Sequence, residues 1–130
     1  MEFHHIGVAT HNINKSSNIF KQLGFIADEV IFDEIQNVNI CFLRKPGHPD
    51  IELVEPVNEK SPVWNILDKV GTSPYHFCYS TNDITKEIFK LKKNKFLLLV
   101  EPVEAVALNR NKICFCYHLN FGLIELIEIK

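Results

Sequence analysis

Two acidic side chains stand inside strand-like apolar runs, Glu52 in Asp50-Ile-Glu-Leu-Val-Glu55 and Glu125 in Gly122-Leu-Ile-Glu-Leu-Ile-Glu128. Aligning the acids matches Ile51 with Ile124, Leu53 with Leu126, Val54 with Ile127 and Glu55 with Glu128. Two histidines are related in the same way. Tyr75-His-Phe-Cys-Tyr-Ser-Thr-Asn-Asp-Ile84 lies over His4-His-Ile-Gly-Val-Ala-Thr-His-Asn-Ile13, which sets His76 over His5 and Thr81 over Thr10. The histidines are 71 residues apart and the acids 73, so the chain reads as a tandem duplication with a small insertion. Two imidazoles and two carboxylates form a donor set for a divalent cation. Burying two unpaired carboxylates is expensive; a cation removes that penalty and accounts for the imidazoles as well. His5, Glu52, His76 and Glu125 suit a six-coordinate Ni²⁺, Co²⁺, Mn²⁺ or Zn²⁺, with two positions left for water or substrate oxygens.

The elements that must carry these residues follow from pattern and punctuation. Residues 3–10 read as a strand with His5, Gly7 and Ala9 on one face and Ile6 and Val8 on the other. A helix follows from about Asn12, a good N-cap, to Leu23, with Ile13, Phe20 and Leu23 as its apolar stripe and Gly24 as its stop. Strands are expected near 28–33, 38–44 and 50–55. Ser61 is the expected cap of a linker helix, with Pro62 at its first helical position and Gly71 just past its end. The second copy repeats the order: a strand in which Tyr75, Phe77 and Tyr79 oppose His76, Cys78 and Ser80, a helix over about 83–93, and strands near 96–101, 112–118 and 122–129. The bulky set in each strand can pack under the helices, leaving a face with His, Glu and small residues as a cleft floor. Glu128, of opposite parity to Glu125, is expected to be structural.

The length of 130 residues suits one domain, residues 1–130, built of a module over 1–56, a linker helix over 57–72 and a module over 73–130. A net charge of −2 offers no basic field, which argues against nucleic acid as a partner. No apolar run approaches the roughly 20 residues that span a bilayer, and Met-Glu-Phe-His-His lacks the regions of a signal peptide. A cytoplasmic protein is expected. Cys41, Cys78, Cys114 and Cys116 show no C-x-x-C spacing and read as reduced, buried thiols.

The chain resembles the vicinal oxygen chelate superfamily (glyoxalase I, bleomycin-resistance proteins, extradiol dioxygenases), and within it methylmalonyl-CoA epimerases. The phrases that carry the resemblance are His5-Ile-Gly-Val-Ala, Gln36-Asn-Val, Ile51-Glu-Leu-Val-Glu-Pro56, Ser61-Pro-Val with Lys69-Val-Gly71, His76 leading to Asn82-Asp-Ile84, and Gly122-Leu-Ile-Glu-Leu. It implies an α+β fold in which two tandem βαβββ modules form an open, curved eight-stranded sheet, with His5, Glu52, His76 and Glu125 as ligands of a divalent metal ion. The implied activity is an epimerase or isomerase acting by proton transfer next to the carbonyl of an acyl-CoA thioester, with Glu125 the first choice as base and Glu52 the second. Glyoxalase I (lactoylglutathione lyase), acting on a glutathione hemithioacetal, uses the same ligand set; a non-catalytic small-molecule binder is the alternative of a different class. Family habit implies a homodimer. The chain departs from the epimerase pattern at Ile40, where some epimerases have a further acid, at Tyr75, and at His118-Leu-Asn-Phe. His4, His11, His48 and His118 receive no role.

Overall fold

The duplication is visible first in how the two long helices begin. A computed structural model describes residues 1–130. In it α1 (Ile13–Gln22) starts at Asn12, whose side chain accepts from Lys15 N at 2.9 Å, and α3 (Ile84–Lys93) starts at Asp83, which accepts from Lys86 N at 3.0 Å. The Thr10 and Thr81 hydroxyls accept from Asn12 N and Asp83 N, each at 3.2 Å. Glu55 accepts from Ile13 N at 2.8 Å and Glu128 from Ile84 N at 2.9 Å. Three acceptors therefore satisfy three of the four orphan N–H groups of each helix start, at equivalent positions in both copies. This is the structural role expected for Glu128.

The remaining elements are β1 (Glu2–Ala9), β2 (Ile26–Ala27), β3 (Ile31–Asp33), β4 (Val38–Arg44), β5 (Asp50–Pro56), α2 (Trp64–Val70), β6 (Ser73–Thr81), β7 (Leu97–Glu104), a 3₁₀ turn (Val106–Leu108), β8 (Lys112–His118) and β9 (Gly122–Glu128). They form one mixed sheet in the order β2-β4-β5-β1-β6-β9-β8-β7, with β3 also paired to β4. β1 runs parallel to β5 and β6 parallel to β9, while β1 and β6 pair antiparallel and join the two modules. The sheet has nine strands rather than eight because a short strand, Ile26–Ala27, precedes the segment expected at 28–33, of which only Ile31–Asp33 is strand. Ile26 and Ala27 pair with Arg44 and Leu43, pairing resumes only at Ile31, and Asp28 turns outward to bind Arg44 at 3.1 Å. The result is the expected α+β architecture.

Alternating side chains give the sheet two faces. On the helical side Ile13 and Phe20 pack with Val8, Leu43 and Leu53, and Ile84, Ile88 and Leu91 pack with Cys114, Cys116, Ile124 and Leu126. Leu23 is not part of the α1 stripe; it lies past the helix end and is exposed. All four cysteines are free and buried. Inside the curve a third cluster joins Val38, Ile40, Phe42 and Val54 of one module to Ile113 and Ile127 of the other, with Val63 and Leu67 from the linker. Buried Asp33 helps to close this side. Its carboxylate accepts from Ile35 N and Gln36 N and, across the modules, from Val106 N at 3.0 Å.

Two local expectations are corrected. Ser61 does not cap α2: residues 61–63 form a turn in which Trp64 N donates to Ser61 O at 3.1 Å, so the helix begins at Trp64. Tyr75 does not join the outward set of Phe77 and Tyr79. The β1–β6 register passes from Gly7↔His76 to Val8↔Pro74, which leaves Tyr75 as the extra residue of a bulge, and its ring packs in the inner cluster. No helix is long and apolar enough to cross a membrane.

Candidate metal centre

The register of the four central strands sets the site. Glu52 on β5 lies beside Gly7 on β1, which faces His76 on β6; His5 on β1 faces Cys78 on β6, which lies beside Glu125 on β9. Two rows, Glu52–Gly7–His76 and His5–Cys78–Glu125, are thus interchanged by the duplication, with a small residue at the middle of each. All four expected ligands are brought together, with relative exposures of 0% for His5, 3% for Glu52, 4% for His76 and 2% for Glu125. The space over Gly7 is essential, because a Cβ there would collide with the His76 ring.

The donor atoms converge. His5 Nε2 lies 3.4 Å from Glu52 Oε1 and 3.1 Å from Glu125 Oε1; His76 Nε2 lies 3.6 Å and 3.3 Å from the same oxygens. The two Nε2 atoms are 3.3 Å apart. Metal–ligand bonds of about 2.0–2.2 Å require donors roughly 2.9–4.4 Å apart, and all five separations fall in that interval. Despite these short contacts, Glu125 Oε1 has no aligned hydrogen-bond donor, and His76 Nδ1 is likewise buried without a partner. The donor set, its spacing and the unsatisfied carboxylate oxygen fit a divalent cation.

Electrostatics lead to the same conclusion. Burial alone would lower the His5 pKa, but the Glu52 and Glu125 carboxylates outweigh it and raise it to about 10. Burial would raise Glu125; charge interaction with His76 and contact with His5 outweigh it and hold the carboxyl well below the usual range. The two carboxylates thus favour positive charge at the centre of the site. Cys78 also approaches His4 and His5. Burial, with further contributions from Glu125 and Glu52, pushes its thiol far above the ordinary range, so it stays neutral and is a poor ligand.

Several functional neighbours escaped the sequence reading. Phe42, beside Glu52, sets its ring edge-on to His5 at 5.3 Å, and Phe115, beside Glu125, does the same to His76 at 5.3 Å. The two phenylalanines stand 73 residues apart, the same offset as the two glutamates, and that shared offset was the signal available. Glu52 and Glu125 also line a cavity of about 430 Å³ whose walls include Ile40, Val54, Val63, Tyr75 and Phe115, with Lys60 as its one cation. Of the histidines without a role, His48 packs on Phe25, and His118 Nδ1 accepts from Asn120 N at 2.9 Å to close a turn. His4 is different: its Nδ1 lies 2.8 Å from His5 Nδ1.

Known proteins share this arrangement of chain. The model of the Glyoxalase/Bleomycin resistance protein/Dioxygenase superfamily matches residues 4–115. The uncharacterized protein YqjC of Bacillus subtilis is 29% identical over 97% of this chain and 91% of its own. The mitochondrial methylmalonyl-CoA epimerase of Dictyostelium discoideum is 24% identical over 98% of this chain and 78% of its own. The crystal structure of methylmalonyl-CoA epimerase from Mycobacterium tuberculosis superposes with a TM-score of 0.85 at 24% identity, covering 99% of this chain and 88% of that one, and shares its fold. With a match across most of its length and both modules of the fold in place, the chain belongs to the glyoxalase/bleomycin resistance protein/dioxygenase superfamily.

Proposed function

We propose that the chain is a metal-dependent enzyme that moves a proton at the carbon next to a thioester carbonyl, in the manner of methylmalonyl-CoA epimerase. One observation carries this reading: four buried donor atoms converge at the floor of an apolar cleft, and two of them belong to carboxylates that also face the cleft. The likeness to epimerases in sequence and fold supports the substrate class.

His5, Glu52, His76 and Glu125 would hold the cation. When bound, it supplies Lewis acidity toward substrate oxygens and stabilises the negative charge that develops as a proton leaves. The Glu125 carboxylate accepts the α-proton. Glu52, carrying a proton at the outset, reaches the centre from the other module and gives that proton to the opposite face; proton exchange with solvent then returns both acids to their starting states. Ile40 puts no third acid in the cleft, and the lining contains no other carboxylate, so both transfers fall to this pair. Ile40, Val54 and Phe115 keep water from the reacting carbon, which strengthens each carboxylate as a base. Lys60 pairs with an anionic group of the carrier.

The test is solvent exchange. Co²⁺-loaded protein in D₂O with methylmalonyl-CoA should place deuterium at the α-carbon, and Glu125→Gln should remove that signal. A glutathione hemithioacetal is assayed beside it. Turnover of the hemithioacetal with no thioester exchange would move the assignment to lactoylglutathione lyase. Metal-loaded protein inert toward both would sink the enzyme reading in favour of a binding protein.

A further inference from the structure

The two modules carry matching bulges at the joint between them. Besides the bulge at Tyr75, the β1–β6 register passes from Phe3↔Tyr79 to His5↔Cys78, which leaves His4 as the extra residue on β1. His4 and Tyr75 are equivalent positions of the duplication, and each directly precedes a histidine of the metal centre. A bulge re-aims one side chain and shifts the alternation beyond it. Phe3, two residues before His5, accordingly sits with Phe77 and Tyr79 on the other face, while His4 lines the inside of the curved sheet with Phe42 and Ile127. The two bulges end differently. His4 places Nδ1 2.8 Å from His5 Nδ1, whereas Tyr75 stacks edge-on against His76 at 4.5 Å and leaves His76 Nδ1 without a partner.

The chemistry of His5 decides what this contact does. Its Nε2 faces Glu52, Glu125 and His76, so Nε2 is the nitrogen that would meet a cation. A neutral imidazole with its lone pair on Nε2 carries its proton on Nδ1. The His5 ring has no exposed surface, so that N–H needs an acceptor within the protein, and His4 Nδ1 is the group in hydrogen-bond range. We propose that His4 is a positioning residue for metal binding: its Nδ1 accepts from His5 Nδ1–H, fixes the His5 tautomer and holds the ring edge toward the cation. This rests on the metal centre proposed above. Loss of such a partner behind a metal-bound histidine typically weakens metal affinity about 10- to 100-fold. His4 is only half-buried and borders a second cavity of about 690 Å³, so its replacement leaves the apolar core intact.

The experiment titrates chelator-treated protein with Co²⁺, reading affinity and the visible Co²⁺ spectrum. His4→Phe keeps a ring against His5 and removes the acceptor. His4→Asn puts an amide oxygen on Cγ, where the histidine carries Nδ1. We expect His4→Phe to raise the Co²⁺ dissociation constant at least about tenfold and alter the spectrum, and His4→Asn to restore both to near the wild-type values. Wild-type protein that fails to bind Co²⁺ defeats the metal centre itself. If the wild type binds but His4→Phe binds equally well with the same spectrum, the role of His4 is overturned. Equal weakening in both variants also overturns it, because packing rather than the hydrogen bond would then be responsible.

Discussion

Gly7→Ala adds one methyl group to the centre of the sheet, and its consequence can be worked out atom by atom. The new Cβ would overlap Cε1, Nδ1 and Nε2 of His76 together, so no small tilt of the ring relieves it. The nearest ring atom would lie well inside ordinary contact, which begins near 3.4 Å, so the ring has to withdraw by more than an ångström. It has little room to do so, since Tyr75 packs its edge at 4.5 Å and Phe115 at 5.3 Å. Metal-ligand distances tolerate about 0.2 Å, so an ångström amounts to losing a ligand. Losing only a partner behind a ligand costs about 10- to 100-fold in metal affinity; losing the ligand itself should lie at or beyond the upper end. Overpacking of this kind destabilises by about 1–3 kcal/mol, which lowers the melting temperature by several degrees without preventing folding. Calorimetric titration with Co²⁺ at a temperature where the variant is folded gives the answer. Gly7→Ala protein with wild-type affinity would show that His76 is not a ligand, and the row Glu52–Gly7–His76 would lose its meaning.

Four further outcomes are expected. Glu125→Gln should reduce α-deuterium exchange by about 10²–10⁴-fold, read by mass spectrometry of the recovered thioester. Phe42→Ala and Phe115→Ala should each weaken Co²⁺ binding, Phe115→Ala the more because its ring holds an imidazole with no hydrogen bond behind it; a larger loss in Phe42→Ala would contradict that difference. Metal at about 100 times its dissociation constant should stabilise the protein by about 2.7 kcal/mol, and excess chelator should reverse the shift in melting temperature. In chelator-treated protein the folded-state pKa of His5 is raised from 6.5 to about 10, so its contribution is complete below pH 6.5 and is lost as pH rises through about 10. The depressed Glu125 contributes above its ordinary 4.5 and loses that contribution as pH falls. Urea midpoints of metal-free protein should therefore be higher at pH 5.5 than at pH 9, and equal midpoints would contradict the charge arrangement.

The convergence of His5, Glu52, His76 and Glu125 was legible because duplication leaves a signal that local pattern does not. His5 and His76, or Glu52 and Glu125, are unremarkable one at a time; their common offsets single them out. The same offset relates Phe42 to Phe115 and Glu55 to Glu128, which shows that the signal extends to the residues that hold the ligands and cap the helices. What strict alternation could not supply was register. The ladder beside β4 is interrupted after Asp28, whose N–H still donates to Phe42 O at 2.8 Å, and resumes at Ile31. Ser61 fails as a cap because a turn over 61–63 separates it from the helix and its hydroxyl reaches no helix N–H. Tyr75 changes faces because a bulge adds a residue on one strand only. Each depends on a partner strand or segment remote in sequence, which a period of two within one strand does not encode.

The bulges also explain how a twofold repeat produces a centre that is not quite twofold. Duplication alone would give both histidines the same neighbour, and the metal would see two equal halves. The positions before them have instead diverged, to His4 in one module and Tyr75 in the other, while the bulges that aim both side chains inward have been kept. One imidazole therefore has a hydrogen-bonded back and the other a buried, unpartnered nitrogen held by aromatic edges. A ligand held only by packing moves at less cost than one held by a hydrogen bond and packing together. In the metal centre proposed above, His76 would then be the more easily displaced of the two imidazoles and His5 the more firmly held. The side of the cleft bordered by Tyr75, Phe115 and Glu125 is where such movement would be felt first.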